Sequence, residues 1–259
     1  MQWIDSHCHS TLILDKSERT ALLRMLQIQG CVGLVQGGID PEEWDRQLEL
    51  SNAPIPMARV FGLHPWALTS RTPDAIQAAL SKLEHILCHA DALGELGLDW
   101  AIAKTHEQRQ VQKQVFAQQL ELARLHRKPI VLHCVRAYSE TWAILKSLPQ
   151  QPEGLLHGFW TQRQNARPFI EAGYVFSLPP RIQHGDPHQL LSYLPREQIV
   201  FESDAPQKRL DGSWTTPLQA LHSLQHAAQQ WGEDPALTCD RQLRTLQRLF
   251  AGLMRPETS

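Results

Sequence analysis

The chain lacks the means for a disulfide framework or a zinc ribbon. It has five cysteines, an odd number, and Cys8, Cys31, Cys88, Cys134 and Cys239 are widely spread with no C-x-x-C among them. No apolar run approaches the roughly 18 residues that a membrane span needs. The opening residues Met1-Gln2-Trp3-Ile4-Asp5 carry neither a charged n-region nor an apolar h-region, so no signal peptide is expected. These absences point to a reduced, cytoplasmic, soluble protein without a membrane partner. Glycine and proline, at 14 and 17 of 259 residues, are not in excess, which excludes collagen-like and low-complexity chains. Basic charge is not in excess either. With 25 Lys+Arg against 27 Asp+Glu the net charge is −2, which argues against an extended nucleic-acid coat.

What is present is a globular apolar content of 42% and 13 histidines. Imidazoles on a near-neutral chain suit metal or acid–base chemistry. The length fits one barrel-sized domain or two small ones. Short apolar runs begin at Trp3, Cys31, Met57, Ala92, Ile130, Leu155, Tyr174 and Ile199. Between them lie helix-period stretches, among them Thr20–Gln29, Ala75–His89, Gln108–His126 and Tyr138–Leu148, and Pro235–Leu253 reads as a closing helix. Eight βα units in about 250 residues predict an α/β fold, a (β/α)8 TIM-type barrel, regular or distorted, as a single domain over 1–259. An open doubly wound sheet would often carry a glycine-rich phosphate loop after its first strand. This chain has His7-Cys8-His9-Ser10 there. The most loop-like segment is Gln207–Pro217.

Polar residues gather at the ends of the apolar runs, which in a barrel converge on one mouth. His7 and His9 share a face of an extended strand and can grip one ion, while Cys8 points away as a small core residue. Glu95 lies in a buried run, where a carboxylate needs a metal or a cationic partner. Asp99 either orients a neighbouring histidine or caps the following loop. His133 and His157 end consecutive runs opposite Glu95. Of Glu202 and Asp204, Asp204 is the better ligand, and Glu202 is expected in a structural ion pair. His64, held extended by Pro65, can face substrate or bound water, or sit as an ordinary loop residue. His85, His89, His106, His126, His184, His188, His222 and His226 are expected at the surface.

The ordered set Asp5-Ser6-His7-Cys8-His9, Gly62-Leu63-His64-Pro65, Gly94-Glu95-Leu96-Gly97-Leu98-Asp99, Pro129–Cys134, Leu156-His157-Gly158-Phe159 and Glu202-Ser203-Asp204-Ala205-Pro206 resembles the TatD-type metal-dependent deoxyribonucleases, members of the amidohydrolase-like barrel hydrolases. Phe116–Ala123 resembles them as well. The likeness spans about residues 1–206, and its strength lies in six motifs in order. It implies two divalent ions, zinc, manganese or magnesium, with His7, His9 and Asp204 on one, His133 and His157 on the other, and Glu95 bridging. Such a pair activates water and neutralises a phosphate oxygen. Asp204, Glu95 and His64 are the catalytic candidates, with Asp204 able to relay a proton. His64 and Arg136 are the candidate substrate contacts.

Three departures from the pattern leave the metal ligands intact and fall on the substrate pocket. They are Trp160-Thr161-Gln162-Arg163 after Phe159, the segment from Gln207 to Pro217, and a closing helix without an asparagine near Leu249-Phe250. The expected activity is phosphodiester hydrolysis of DNA ends or single-stranded DNA through local contact, with no obligate protein partner. Its rivals are hydrolysis of an ester, lactone or amide on the same centre, and a barrel that only binds. Trp100, Trp160 and Trp214 can stack bases or serve the core or rim.

Overall fold

The computed structural model describes residues 1–50, 53–183, 187–207 and 214–254, and backbone alone for 187–189. Most of the expected Gln207–Pro217 loop, His184 and the His188 side chain lie outside what is described. Strands and helices alternate from the start. The strands are β1 (Trp3–Cys8), β2 (Cys31–Gln36), β3 (Met57–Ala58), β4 (Val60–Phe61), β5 (Ala92–Asp99), β6 (Ile130–Val135), β7 (Gly154–Leu156), β8 (Val175–Leu178) and β9 (Ile199–Phe201). The helices are α1 (Lys16–Ile28), α2 (Pro41–Leu48), α3 (Pro73–Ile86), α4 (His106–Leu125), α5 (Tyr138–Lys146), α6 (Arg163–Glu171), α7 (Pro187–Tyr193), α8 (Leu218–Trp231) and α9 (Pro235–Leu249).

These nine strands pair in parallel, in the orders β1-β2-β3 and β4-β5-β6-β7-β8-β9. β3 and β4 are successive pieces of one strand position, broken at Arg59. At the other junction the chain leaving β9 bonds to the end of β1. Asp204 N donates to the His7 carbonyl (3.0 Å), and His9 N to that of Ala205 (2.7 Å). The result is the α/β architecture of a TIM-type barrel with eight strand positions, distorted at the break.

One residue or two from every strand position meet in one apolar cluster. Ile4, Val35, Ala58, Val60, Ala92, Val131, Leu155, Val175 and Val200 pack there with Leu246, Leu249, Phe250 and Leu253. Small and β-branched side chains suit a barrel interior. The end of α9 and the 3-10 turn after it, Ala251–Met254, supply the rest of the cluster. The closing helix expected to run to Leu253 therefore stops at Leu249. The larger core lies between strands and outer helices and holds Trp44, Phe116, Phe169 and Leu224.

Local chemistry sets the helix starts. Asp15 accepts from Ser17 N and Glu18 N, which begins α1 four residues before the expected Thr20. A capping box of Thr105 and Gln108 opens α4. α2 is capped by Asp40 with Pro41 in its first turn. It brings Glu43 to the mouth, beside His9.

Candidate metal centre

β5 slips register where it matters. Gly94 pairs with Val131 and Leu96 with Leu132, so Glu95 is the extra residue of a bulge. A bulge re-aims a side chain, and here the carboxylate enters the barrel mouth, 2% exposed. Its two oxygens face different imidazoles. Oε1 lies 3.5 Å from His7 Nε2 and 3.2 Å from His9 Nε2. Oε2 lies 2.8 Å from His157 Nε2, 3.6 Å from His64 Nε2 and 4.0 Å from His133 Nδ1.

Asp204 comes from the chain just beyond β9. Its φ of 52° is left-handed, a conformation that Asp tolerates better than most residues. The turn breaks the strict alternation expected for Glu202 and Asp204, and both carboxylates reach the site. Asp204 Oδ1 stands 3.6 Å from His9 Nε2 and 3.9 Å from His7 Nε2. Glu202, expected in a structural ion pair, has no Lys or Arg partner among the described residues. Its Oε1 accepts from Gly158 N (2.8 Å) and lies 3.8 Å from His157 Nδ1. The Asp204 turn is pinned by Asp5, which accepts from Ser203 Oγ (2.5 Å), Ser203 N (3.0 Å) and His7 N (3.2 Å).

His9, at the end of β1, turns Nδ1 to Glu43 Oε1 (3.0 Å). Glu43 is buried and also accepts from Thr11 Oγ1 (2.8 Å) and Ile39 N (3.0 Å). His133 presents Nε2 to Asp99 Oδ2 (3.3 Å) and Nδ1 to His157 Nε2 (2.9 Å). Asp99 also accepts from Ala101 N and Ile102 N, so it both orients a histidine and caps its loop. His157 follows β7, which ends at Leu156 rather than Phe159, yet its amide still bonds to the Leu132 carbonyl (3.0 Å). His64 is extended as Pro65 requires (φ −63°, ψ 146°), and its Nδ1 accepts from Trp66 N (2.9 Å). That bond assigns the proton of a neutral ring to Nε2, which faces Glu95.

Burial opposes charge on Glu95, but His157, His7 and His9 outweigh it and hold the carboxyl well below the usual range. Burial likewise disfavours charged His9 and His157, yet Glu95 and its acidic neighbours raise both. His64 goes the other way, lowered by burial and by His133, and so stays neutral. Burial raises Asp204 despite His7 and His9.

Two buried atoms at the centre of this array, His7 Nε2 and Glu95 Oε1, have no hydrogen-bond partner. Such atoms are costly unless something electrophilic sits between them. The donor sets His7–His9–Glu95, His7–His157–Asp204 and His64–Glu95–His133 are each tight enough for a metal ion. Of the expected site residues, only Arg136 stands apart, exposed one residue beyond β6. Glu43 carries no sequence signal, being one acidic residue in a polar helix. His85, His89, His106, His126 and His222 are exposed as expected, while His226 is half-buried.

Barrel and site together define a metal-dependent hydrolase, with His, Glu and Asp clusters able to hold metal. The chain belongs to the TatD related DNase family, whose model matches residues 4–251. It is similar to the crystal structure of the TatD homologue YjjV from Escherichia coli K12, at 25% identity and a TM-score of 0.82, covering 96% of this chain and 98% of that one. It is 30% identical to deoxyribonuclease TATDN3 of Homo sapiens over 78% of this chain and 77% of the relative. It is 27% identical to the 3'-5' ssDNA/RNA exonuclease TatD of Citrobacter koseri over 84% and 88%. No helix among the described residues is long and apolar enough to cross a membrane.

Proposed function

We propose that this chain is a deoxyribonuclease, a single hydrolase domain over 1–259 that cleaves phosphodiester bonds at DNA ends or in single strands. The observation that carries the reading is Glu95, one buried carboxylate with each oxygen turned to a different set of imidazoles. His7, His9 and Asp204 would hold one divalent ion, His133 and His157 a second, with Glu95 shared. When bound, such ions supply Lewis acidity and local positive charge for a phosphate oxygen and for attacking water. Four imidazoles favour zinc or manganese over magnesium.

The protein groups divide the remaining work. Asp204, the least enclosed of the carboxylates facing Glu95's partners (27% exposed), holds its Oδ2 toward Gln207 Nε2 at 2.5 Å. With a pKa raised by burial, it is suited to take a proton and pass it to solvent. Neutral His64 offers one Nε2–H to a phosphate oxygen and does not act as a cation. Glu43 and Asp99 hold the outer nitrogens of His9 and His133, and Glu202 stands 3.8 Å from that of His157. The names of TATDN3 and the Citrobacter TatD exonuclease support nucleic acid as substrate. The net charge of −2 supports a short contact. Five unpaired cysteines support a reducing cytoplasm as its home.

Elemental analysis of the purified protein, paired with metal-titrated cleavage of 3′- and 5′-labelled oligonucleotides, tests this. Two ions per chain and metal-dependent cleavage are expected. His157→Ala should lower the stoichiometry and abolish cleavage in a folded chain. Full activity in that variant would overturn the two-metal assignment, and hydrolysis of a simple phosphodiester but never of DNA would overturn the substrate.

A further inference from the structure

A recess of about 530 Å³ opens beside the centre, between the ends of β6 and β7. Cys134 and Gly158, the residues next to His133 and His157, form part of its wall, so the recess begins where the proposed ligands end. Arg136, Arg181 and Trp160 line it too. Both arginines are exposed, and neither makes an ion pair or hydrogen bond among the described residues. One carboxylate, Glu140, shares the wall and leaves the positive pair in excess.

Two details bear on how these cations are held. Arg136 adopts φ 56°, a left-handed backbone that glycine or asparagine would take more readily. Arg181 sets its guanidinium carbon 4.6 Å from the centroid of the Trp160 ring. A guanidinium over a ring is oriented by it while its N–H donors stay free. Trp160 also belongs to the segment that departs from the family pattern.

We propose that this recess is a second phosphate subsite, in which Arg136 and Arg181 clasp a phosphate group one nucleotide from the scissile bond. The proposal rests on the deoxyribonuclease reading. The clasped group is either an internal phosphodiester or a terminal phosphate, since a paired guanidinium site suits both. In either case the enzyme prefers substrates with a phosphate beyond the one it cleaves.

The test compares kcat/KM on bis(p-nitrophenyl) phosphate, an unphosphorylated dinucleotide, a trinucleotide, and dinucleotides with a 5′- or 3′-phosphate. The native enzyme should gain at least tenfold when a second phosphate is present. A gain with the trinucleotide identifies the internal group, and a gain with a phosphorylated dinucleotide identifies the end. Arg136→Met with Arg181→Met should erase the gain through KM, and the slope of log KM against log salt should weaken by about 0.7, one neutralised phosphate on a single strand. Arg136→Lys should keep most of that slope, which a packing role would not predict. If loss of Arg181 disturbs Trp160 and the fold, Arg136→Met alone carries the test. An undiminished gain with an unchanged slope in the variants overturns the subsite alone. Cleavage of the reporter but of no oligonucleotide overturns the deoxyribonuclease reading, and the subsite with it.

Discussion

The indole Nε1 of Trp66 donates to Asp99 Oδ2 at 3.0 Å, the same oxygen that faces His133 Nε2 at 3.3 Å. The Trp66 side chain is otherwise largely in solvent, 54% exposed. Burial raises the Asp99 carboxyl, but hydrogen bonds from His133 and Trp66 prevail and bring it to about 2. Asp99 is thus ionised, and His133 turns Nε2–H toward it, leaving Nδ1, which faces His157 Nε2, without a proton and able to serve as a ligand. Asp99→Asn should lower metal affinity or kcat/KM by about 10- to 100-fold, the usual effect of losing such a partner. Trp66→Phe should cost less, within about tenfold, because Ala101 N and Ile102 N still hold Oδ1. Metal titration of both variants checks this, and native affinity in Asp99→Asn would refute it.

His9 is served in the same way by Glu43, whose Oε1 also takes Thr11 Oγ1 and whose Oε2 takes Ile39 N. Glu43→Gln keeps the shape but can turn its amide toward His9 or Thr11 and so lose acceptor capacity. A 10- to 100-fold loss of metal affinity is expected. Glu43→Ala should also destabilise the fold by about 1–3 kcal/mol, because buried donors lose their acceptor. Chemical denaturation alongside the metal titration separates the two effects. An alanine variant of native stability would show that these donors find other partners.

The barrel and the inner ring of the site were legible because they follow from period and position. Strand-end histidines are visible in a linear pattern, and so is a lone Glu95 among apolar neighbours. What escaped depends on irregular backbone. The bulge at Glu95 and the left-handed turn at Asp204 each break the two-residue alternation on which the strand reading depends. That is why the carboxylates of Glu202 and Asp204 both reach the mouth although alternation favours only one. Glu43 and Trp66 act across the fold on residues 34 and 33 positions away, a relation that sequence spacing does not express. α1 started early for a simpler reason: the Asp15 cap lies on a polar stretch that the apolar period does not reach.

A pH-dependent part of the stability lies away from the site, where α8 passes into α9. Glu233 pairs with Arg241 and with Arg196 (3.3 Å) and accepts from Thr238 Oγ1, while both arginines flank Trp231 at 5.4 and 5.0 Å. Burial raises the Glu233 carboxyl, but Thr238, Arg241 and Arg196 together prevail and lower it. A lowered folded value means stability present above the unfolded value, about 4.3, and lost as pH falls through the folded one. Glu233→Gln should therefore cost about 1–2 kcal/mol at pH 7, or roughly 2–8 °C in Tm. The gap between variant and native protein should narrow below about pH 4. Equal gaps at pH 7 and pH 3.5 would show that the charge contributes nothing.

Gly37 leaves no room for a side chain between two groups of the centre. Its amide donates to the Cys8 carbonyl (2.7 Å), and its own carbonyl accepts from Gln47 Nε2 (2.6 Å), so its backbone is held on both sides. A Cβ built there would lie 2.6 Å from His9 Nε2 and 2.8 Å from Glu95 Oε1, well inside contact distance. Neither group can yield freely. His9 is tied to Glu43, and the Glu95 amide to the Gly38 carbonyl (2.8 Å). Gly37→Ala should therefore push apart His9 and Glu95, the two groups proposed to share an ion. A displacement near 1 Å is enough for a loss of about 100-fold in kcat/KM, with an overpacking cost of about 1–3 kcal/mol. Metal stoichiometry, kcat/KM and denaturation midpoints measured on one preparation test this. Native activity in Gly37→Ala would mean that the close approach of Gly37 to His9 and Glu95 does not govern the centre.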